Sequence, residues 1–257
     1  EIRDSMDFMD QEMTGTMDLR IRVEGDIKDP DILRKMDSLQ VFVEKNNKIA
    51  VTYSIADVVK QMHRTVMDDS LKYESIPTSR EKVNNLFTMY SMSGDPDDFS
   101  AMIDYDYTVG LITALSTVMT TEEVFSFVVS VSNYITTYFN ENLNINVTGM
   151  IVVIRDMVIM IIQSSSLSIL FSLILIGIIA SIFFKRILWG FLAVVPLTAA
   201  VILNFGLMGH FNVTLNHITA ILSSIIIGVG VDFAIHFISQ FRRLSQTVHE
   251  DQLSLEV

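Results

Sequence analysis

The chain has 257 residues, half of them hydrophobic, with a mean hydropathy of +0.42 and a formal net charge of −12. An ordinary soluble domain is less apolar than this, and a chain without cysteine has neither a disulfide framework nor a thiolate metal site. The acidic balance provides no basic face to neutralise phosphates, so we do not expect a nucleic-acid partner.

The charge is distributed unevenly along the chain. There are 25 acidic and 14 basic residues up to Arg155, but only 5 acidic and 4 basic residues beyond it. This asymmetry predicts two domains, a polar one over residues 1–155 and a membrane domain over residues 156–257. The chain starts at Glu1 rather than Met, and a polar domain that leads straight into membrane helices suggests a fragment of a longer protein.

Residues 1–155 are predicted to form a mixed α/β domain. Leu19, Ile21 and Val23 alternate with Arg20 and Arg22, which is typical of a half-buried strand. Further strands are predicted at 48–55, 105–116 and 143–150, and helices are predicted to begin after Asp29, at Ser54 or Asp57, at 77–81, and at Thr120 or Thr121. Successive strand–helix–strand units favour a split βαβ (ferredoxin-like) sandwich with its helices on one face.

Three apolar segments in residues 156–257 are long enough to cross a membrane, at about 164–184, 187–208 and 217–241. Residues 151–163 contain Arg155 and Asp156, and we interpret them as an interfacial entry helix instead. The predicted fold class is therefore an α+β membrane protein with three transmembrane helices.

The positive charges around these segments predict the orientation. Lys185 and Arg186 lie between the first two segments, and Arg242 and Arg243 follow the third. Because Lys and Arg are enriched in cytoplasmic loops, these four residues are predicted to be cytoplasmic and residues 1–155 extracytoplasmic.

Asp232 is the only acidic residue inside the predicted spans. A charge at mid-bilayer costs at least ~2.5–3.5 kcal/mol, so such a carboxylate is a functional candidate by default. His236 follows at i+4 on the same helical face, and Gly228 and Gly230 permit close helix packing. The alternative is a structural aspartate that bonds to a neighbouring helix. A zinc site from His210, His217 and His236 is not expected, because His236 is most of a membrane away from the other two.

The segment GVGVDFAIHFISQFRR (228–243) resembles the signature of the resistance-nodulation-division (RND) superfamily, in its MMPL or hydrophobe-exporter branch. SIADVVKQMHR (54–64), IPTSREKV (76–83) and INVTGM (145–150) resemble parts of the extracytoplasmic porter domain of that branch. The resemblance implies a porter domain followed by three helices, from the second repeat of such a transporter. Members often carry Tyr directly after the aspartate, whereas this chain has Phe233, which has no hydroxyl to relay a proton.

The resemblance implies a multi-pass transporter of the inner or plasma membrane that exports hydrophobic or lipid-like substrates. In this interpretation Asp232 and His236 form the proton relay, Gly228, Gly230 and Phe233 pack beside it, and the remaining half of the transporter is a partner. Either protons or sodium ions remain possible as the coupling ion. The alternative is a sterol-sensing-like or scaffold module that binds lipid without ion coupling. No catalytic triad, phosphate loop or metal motif has the required spacing, so we predict no enzyme, cofactor or metal.

Overall fold

A computed structural model describes residues 8, 15–139, 143–211, 213, 219, 221–222, 225–226, 228–230, 232–233, 235–240 and 243. The chain divides into two compact units, Glu1–Asp156 and Met157–Val257.

The first unit contains a four-stranded sheet with helices between its strands. In chain order the elements are β1 (Met17–Glu24), α1 (Pro30–Glu44), β2 (Ile49–Tyr53), α2 (Ile55–Val66), α3 (Arg80–Ser93), β3 (Val109–Ser116), α4 (Thr121–Tyr138) and β4 (Ile145–Thr148), with short 3-10 helices at Leu71–Tyr73 and Pro96–Phe99. The strand order is β2-β3-β1-β4, and every neighbouring pair is antiparallel. Strand β3 lies between β1 and β2, and β1 lies between β3 and β4. This is the connectivity of a split βαβ arrangement.

Strand β1 shows why the sheet has one apolar face. Its buried residues alternate with polar ones, and they pack with the apolar residues of α1 and α4 in a single core. The buried set from these three elements is Met17, Leu19, Ile21, Val23, Leu33, Met36, Leu39, Val43, Val124, Phe127, Val128 and Val131. Arg20 and Arg22 on the other face pair along the strand with Asp18 and Glu24.

The predicted helix starts are confirmed by their capping bonds. The Asp29 carboxylate accepts a hydrogen bond from the Asp31 amide at 2.9 Å, with Pro30 in the first turn. Ser54 and Thr120 each form a reciprocal capping box with the acidic residue three positions later. These bonds satisfy amides that the helix itself leaves without partners.

Three predicted strands are shorter in the structure. Strand β2 covers residues 49–53 rather than 48–55. Strand β3 begins at Val109 rather than at 105, because the Asp104 carboxylate accepts hydrogen bonds from the amides of Thr108 and Val109, both at 2.7 Å, and closes a turn. Strand β4 ends at Thr148 rather than at 150, because Gly149 adopts a φ of +105° and a helix starts directly after it.

That helix, α5 (Met150–Phe184), is continuous, so residues 151–163 and the first predicted span belong to one helix, and the interfacial position of residues 151–163 stays a prediction. It contains no proline, and Ser164 and Ser181 bond to carbonyls of their own helix, Ser164 to Met160 at 2.6 Å and Ser181 to Gly177 at 2.7 Å. A second helix, α6 (Ile187–His210), follows. By length and composition both helices are able to cross a membrane. The third predicted span, 217–241, lies partly outside the described residues, and its described positions are helical.

Candidate functional site

The described part of residues 219–243, hereafter the aspartate segment, packs on α5 and α6 through one face. Ile238 is only 4% exposed and clusters with Ala180, Phe184 and Ala193. A Cβ built on Gly230 would lie 2.7 Å from Leu197 Cδ2, so at this position the backbone of the segment approaches α6 closely. Gly230 and Ile238 therefore mark the packed face.

Asp232 and His236 lie on the opposite face. At ~100° per residue, both positions are rotated by about 160° from the midpoint between Gly230 and Ile238. Both side chains are exposed in the second unit, and Phe233 beside them is 72% exposed. The structure thus brings Asp232 and His236 to one helical face and turns that face away from α5 and α6.

The described residues leave this face exposed. No hydrogen bond or ion pair joins Asp232 or His236 to another of the described residues. A Cβ built on Gly228 would meet nothing within 4 Å, so close packing at Gly228 stays a prediction. Within the described residues, no three His, Asp or Glu side chains lie close enough together to hold a metal ion.

The crossing of α5 and α6 depends on small residues that we did not single out in the sequence. A Cβ on Gly190 would overlap the Ser181 hydroxyl and would lie 2.5 Å from the carbonyl oxygen of Gly177. The pair Gly177 and Ser181 has the four-residue spacing of small residues that membrane helices use for close packing. This four-residue spacing is the feature of the sequence from which the close crossing of α5 and α6 could have been predicted.

The SIADVVKQMHR motif begins α2, and its side chains form hydrogen bonds and an ion pair with α1. The buried Gln40 side chain accepts a hydrogen bond from Ser54 Oγ at 2.7 Å and donates one to Asp57 at 2.6 Å. Lys60 bonds to Asp37 at 2.6 Å and to Asp57 at 2.9 Å. Burial by itself would lower the pKa of Lys60, but these two carboxylates outweigh burial and raise it.

The other two porter-like motifs also form contacts between distant segments of the first unit. In IPTSREKV, Arg80 Nε bonds to Asp26 at 2.5 Å, and this hydrogen bond is the main reason why the pKa of Asp26 is lowered. In INVTGM, a Cβ on Gly149 would lie 2.6 Å from the carbonyl oxygen of Asp18, and the Met150 amide donates to the Asp18 carboxylate at 3.0 Å. Strand β1 therefore caps the start of α5, across 132 positions of sequence.

A polar α/β unit followed by apolar helices long enough to cross a membrane is typical of a membrane protein with a large polar domain. The model of the MMPL family matches residues 26–254. The chain belongs to the MMPL family, and so to the RND superfamily of membrane transporters predicted from residues 228–243. No curated protein matches it.

Proposed function

We propose that the chain is part of an RND-type secondary transporter that exports hydrophobic or lipid-like molecules, driven by proton loading of Asp232. Membership of the MMPL family supports the transport of hydrophobic substrates. The observation that carries the rest is the placement of Asp232 and His236 together on the exposed face of an apolar helix, opposite its packed face.

The energetic argument concerns what covers that face. A carboxylate turned towards hydrocarbon costs at least ~2.5–3.5 kcal/mol, and more in simulations. A further membrane segment, from the remaining half of the transporter, therefore lies over Asp232 and supplies polar partners and a water path. The open space at Gly228 lets the backbone of such a segment approach closely.

Protonation provides the switch. Neutral Asp232 is compatible with a dry interface, whereas the carboxylate needs water or a cation. As Asp232 alternates between a dry and a hydrated interface, binding and release of a proton are coupled to a change in helix packing. His236 lies one turn away, with Cβ atoms ~5–6 Å apart at this spacing, and tunes the charge of the pair. Phe233 lacks a hydroxyl, so it acts by packing only.

We also propose the domain arrangement predicted from the sequence. Residues 1–155 form an extracytoplasmic porter domain, and residues 156–257 cross an inner or plasma membrane three times. Because the chain has no cysteine, single cysteines at Met92 and Ser245 can be labelled without background. An impermeant maleimide added outside should label Met92→Cys only. Equal labelling of both positions would contradict this topology.

The proposed function is tested with Asp232→Asn in the complete transporter. Asparagine keeps the size and much of the hydrogen bonding but cannot carry a proton. In proteoliposomes with an imposed pH gradient, we expect export of a fluorescent lysophospholipid to be lost, while expression and membrane insertion stay unchanged. Asp106→Asn, an exposed change outside the apolar helices, is the matched control and should export normally.

The opposite result is equally informative. Export by Asp232→Asn at the rate of the unmodified protein, at matched protein levels, would reject the coupling role and favour the lipid-sensing module instead. This outcome is expected if Asp232 has only a structural role. Hydrogen bonds in membranes average only ~0.6 kcal/mol, and asparagine would keep most of that contribution.

A further inference from the structure

The first unit contains an apolar groove of about 480 Å³ between α2 and α3, hereafter the α2–α3 groove. Val58, Met62 and Val66 line one wall at four-residue intervals along α2. Leu86 and Met89 of α3 line the other wall, and Phe99 also lines the groove. All of these residues lie in the first unit, far along the chain from Asp232.

The lining is more exposed than a folded core requires. Val66 on the α2 wall is 46% exposed, and Met89 on the α3 wall is 51% exposed. Methionine side chains are flexible and polarizable, so they adapt to apolar ligands of different shape. A concave, mostly apolar pocket in the range of ~300–1,000 Å³ is the usual form of a small-molecule site.

The basic side chains of Lys60 and Arg64 beside the groove are already paired with carboxylates. Lys60 bonds to Asp37 and Asp57, and Arg64 bonds to Glu74 at 3.1 Å. The lining itself contributes only neutral polar groups, from Gln61, Thr65 and Tyr90, and the Tyr90 hydroxyl donates to Asp98. The groove therefore suits an uncharged ligand, because a buried charge would find no partner in the lining.

The size of the groove decides between two kinds of apolar occupant. An α-helix ~10 Å in diameter with a 5.4 Å pitch fills about 420 Å³ per turn, so the groove would hold little more than one turn. A methylene group is about as large as a water molecule, which takes ~30 Å³, so a narrow chain of roughly 12 to 16 methylenes would fit. The volume thus favours an alkyl chain over a peptide helix.

We infer that the α2–α3 groove binds an unbranched alkyl chain of the transported molecule. This inference rests on the proposed function, since it names the part of the substrate that the first unit recognises. The chain lies along the Val58, Met62 and Val66 stripe with its head group in water. Affinity then comes from apolar burial and grows with chain length.

The test uses the full chain in amphipol and a photoreactive fatty acid that carries a diazirine. Crosslinks mapped by mass spectrometry should fall in α2 and α3. Unlabelled saturated fatty acids should compete more strongly as they lengthen, by about fourfold for each methylene, until the groove is full. Labelling confined to other segments, or competition that does not depend on chain length, would overturn the inference.

Two pairs of variants separate occupation of the groove from general damage. Met89→Trp fills the groove, whereas Met92→Trp makes the same change three residues on, at a position that is 84% exposed and outside the lining. Val66→Glu places a charge in the lining, and Leu71→Glu places one outside it. We expect the first member of each pair to lose at least tenfold in crosslinking, and the second to keep it. Equal crosslinking within both pairs would reject the site.

The transport assay distinguishes this inference from the proposed function. If Asp232→Asn abolishes export while Met89→Trp exports normally, the transporter stands and the groove is not part of its substrate path. If both lose export but only Met89→Trp loses crosslinking, the groove binds the substrate, as inferred, and Asp232 acts at a different step.

Discussion

Gly190→Ala is the sharpest test of how α5 and α6 pack. The added Cβ would overlap Ser181 Oγ, lie 2.5 Å from the Gly177 carbonyl oxygen and lie 2.9 Å from Ser181 Cβ. Two of these three atoms belong to a carbonyl and a Cβ, which cannot move aside without a backbone shift. Overpacking of this kind costs typically ~1–3 kcal/mol, so we expect Gly190→Ala to be destabilised by that amount.

The assay is unfolding of the chain in mixed micelles by titration with SDS. Trp189 is the only tryptophan and packs against the Ala180, Phe184, Ala193 and Ile238 cluster. Its fluorescence therefore reports on the helix crossing itself. Circular dichroism follows total helix content in parallel.

The matched control is Gly206→Ala on the same helix, where a new Cβ would meet nothing within 4 Å. There the higher helix propensity of alanine should make the change neutral or stabilising, by up to ~1 kcal/mol. The double variant Gly190→Ala with Ser181→Ala should recover only part of the loss, because the clash with the Gly177 carbonyl remains. Equal stability of Gly190→Ala and Gly206→Ala would refute the close crossing.

Three further changes test the first unit. Asp18→Ala removes the cap on Met150 and should cost ~1 kcal/mol in urea unfolding followed by circular dichroism, whereas Asp106→Ala at an exposed position should change little. Gln40→Leu leaves the buried Ser54 hydroxyl without the acceptor it now has and should cost ~1–3 kcal/mol in the same assay; a neutral result would show that the network is dispensable. Arg80 lowers the pKa of Asp26, so the ion pair stabilises the fold above the ordinary aspartate pKa of ~3.9 and loses this effect as the pH falls through the lowered value. The stability difference between the unmodified chain and Arg80→Gln should therefore shrink on acidification, and a difference that stays constant with pH would contradict the pairing.

Local signals in the sequence were enough for much of the first unit. Helices are capped by Asp29, Ser54 and Thr120 through bonds that span two or three residues. The capping residue and the amide that it bonds to are therefore visible in the same short stretch of sequence. Strand β1 was predictable because its alternation reflects one buried and one polar face.

The errors arose where a polar side chain or a single glycine changed the backbone. The Asp104 carboxylate closes a turn within residues that alternate like a strand, and Gly149 converts the end of a strand into a helix start. The helix boundary expected near residue 163 came from the charges of Arg155 and Asp156, and the helix runs through it because residues 151–163 contain neither proline nor glycine.

Other features depend on partners that are distant in the chain. The cap from Asp18 to Met150 and the contact of Gly190 with Ser181 exist only once the elements have packed. The α2–α3 groove likewise needs two helices side by side. At Asp232 the sequence predicted the residue and its helical partner His236, and the structure added the direction in which their face points.

The central claim is that Asp232 changes its protonation state during transport. Infrared difference spectroscopy on the complete transporter, reconstituted in lipid and stepped between neutral and acidic pH, measures this directly through the stretch of a protonated carboxyl group. We expect a band that is absent from Asp232→Asn and retained in Asp106→Asn. A band of undiminished size in Asp232→Asn would contradict the account, because the proton would then load elsewhere.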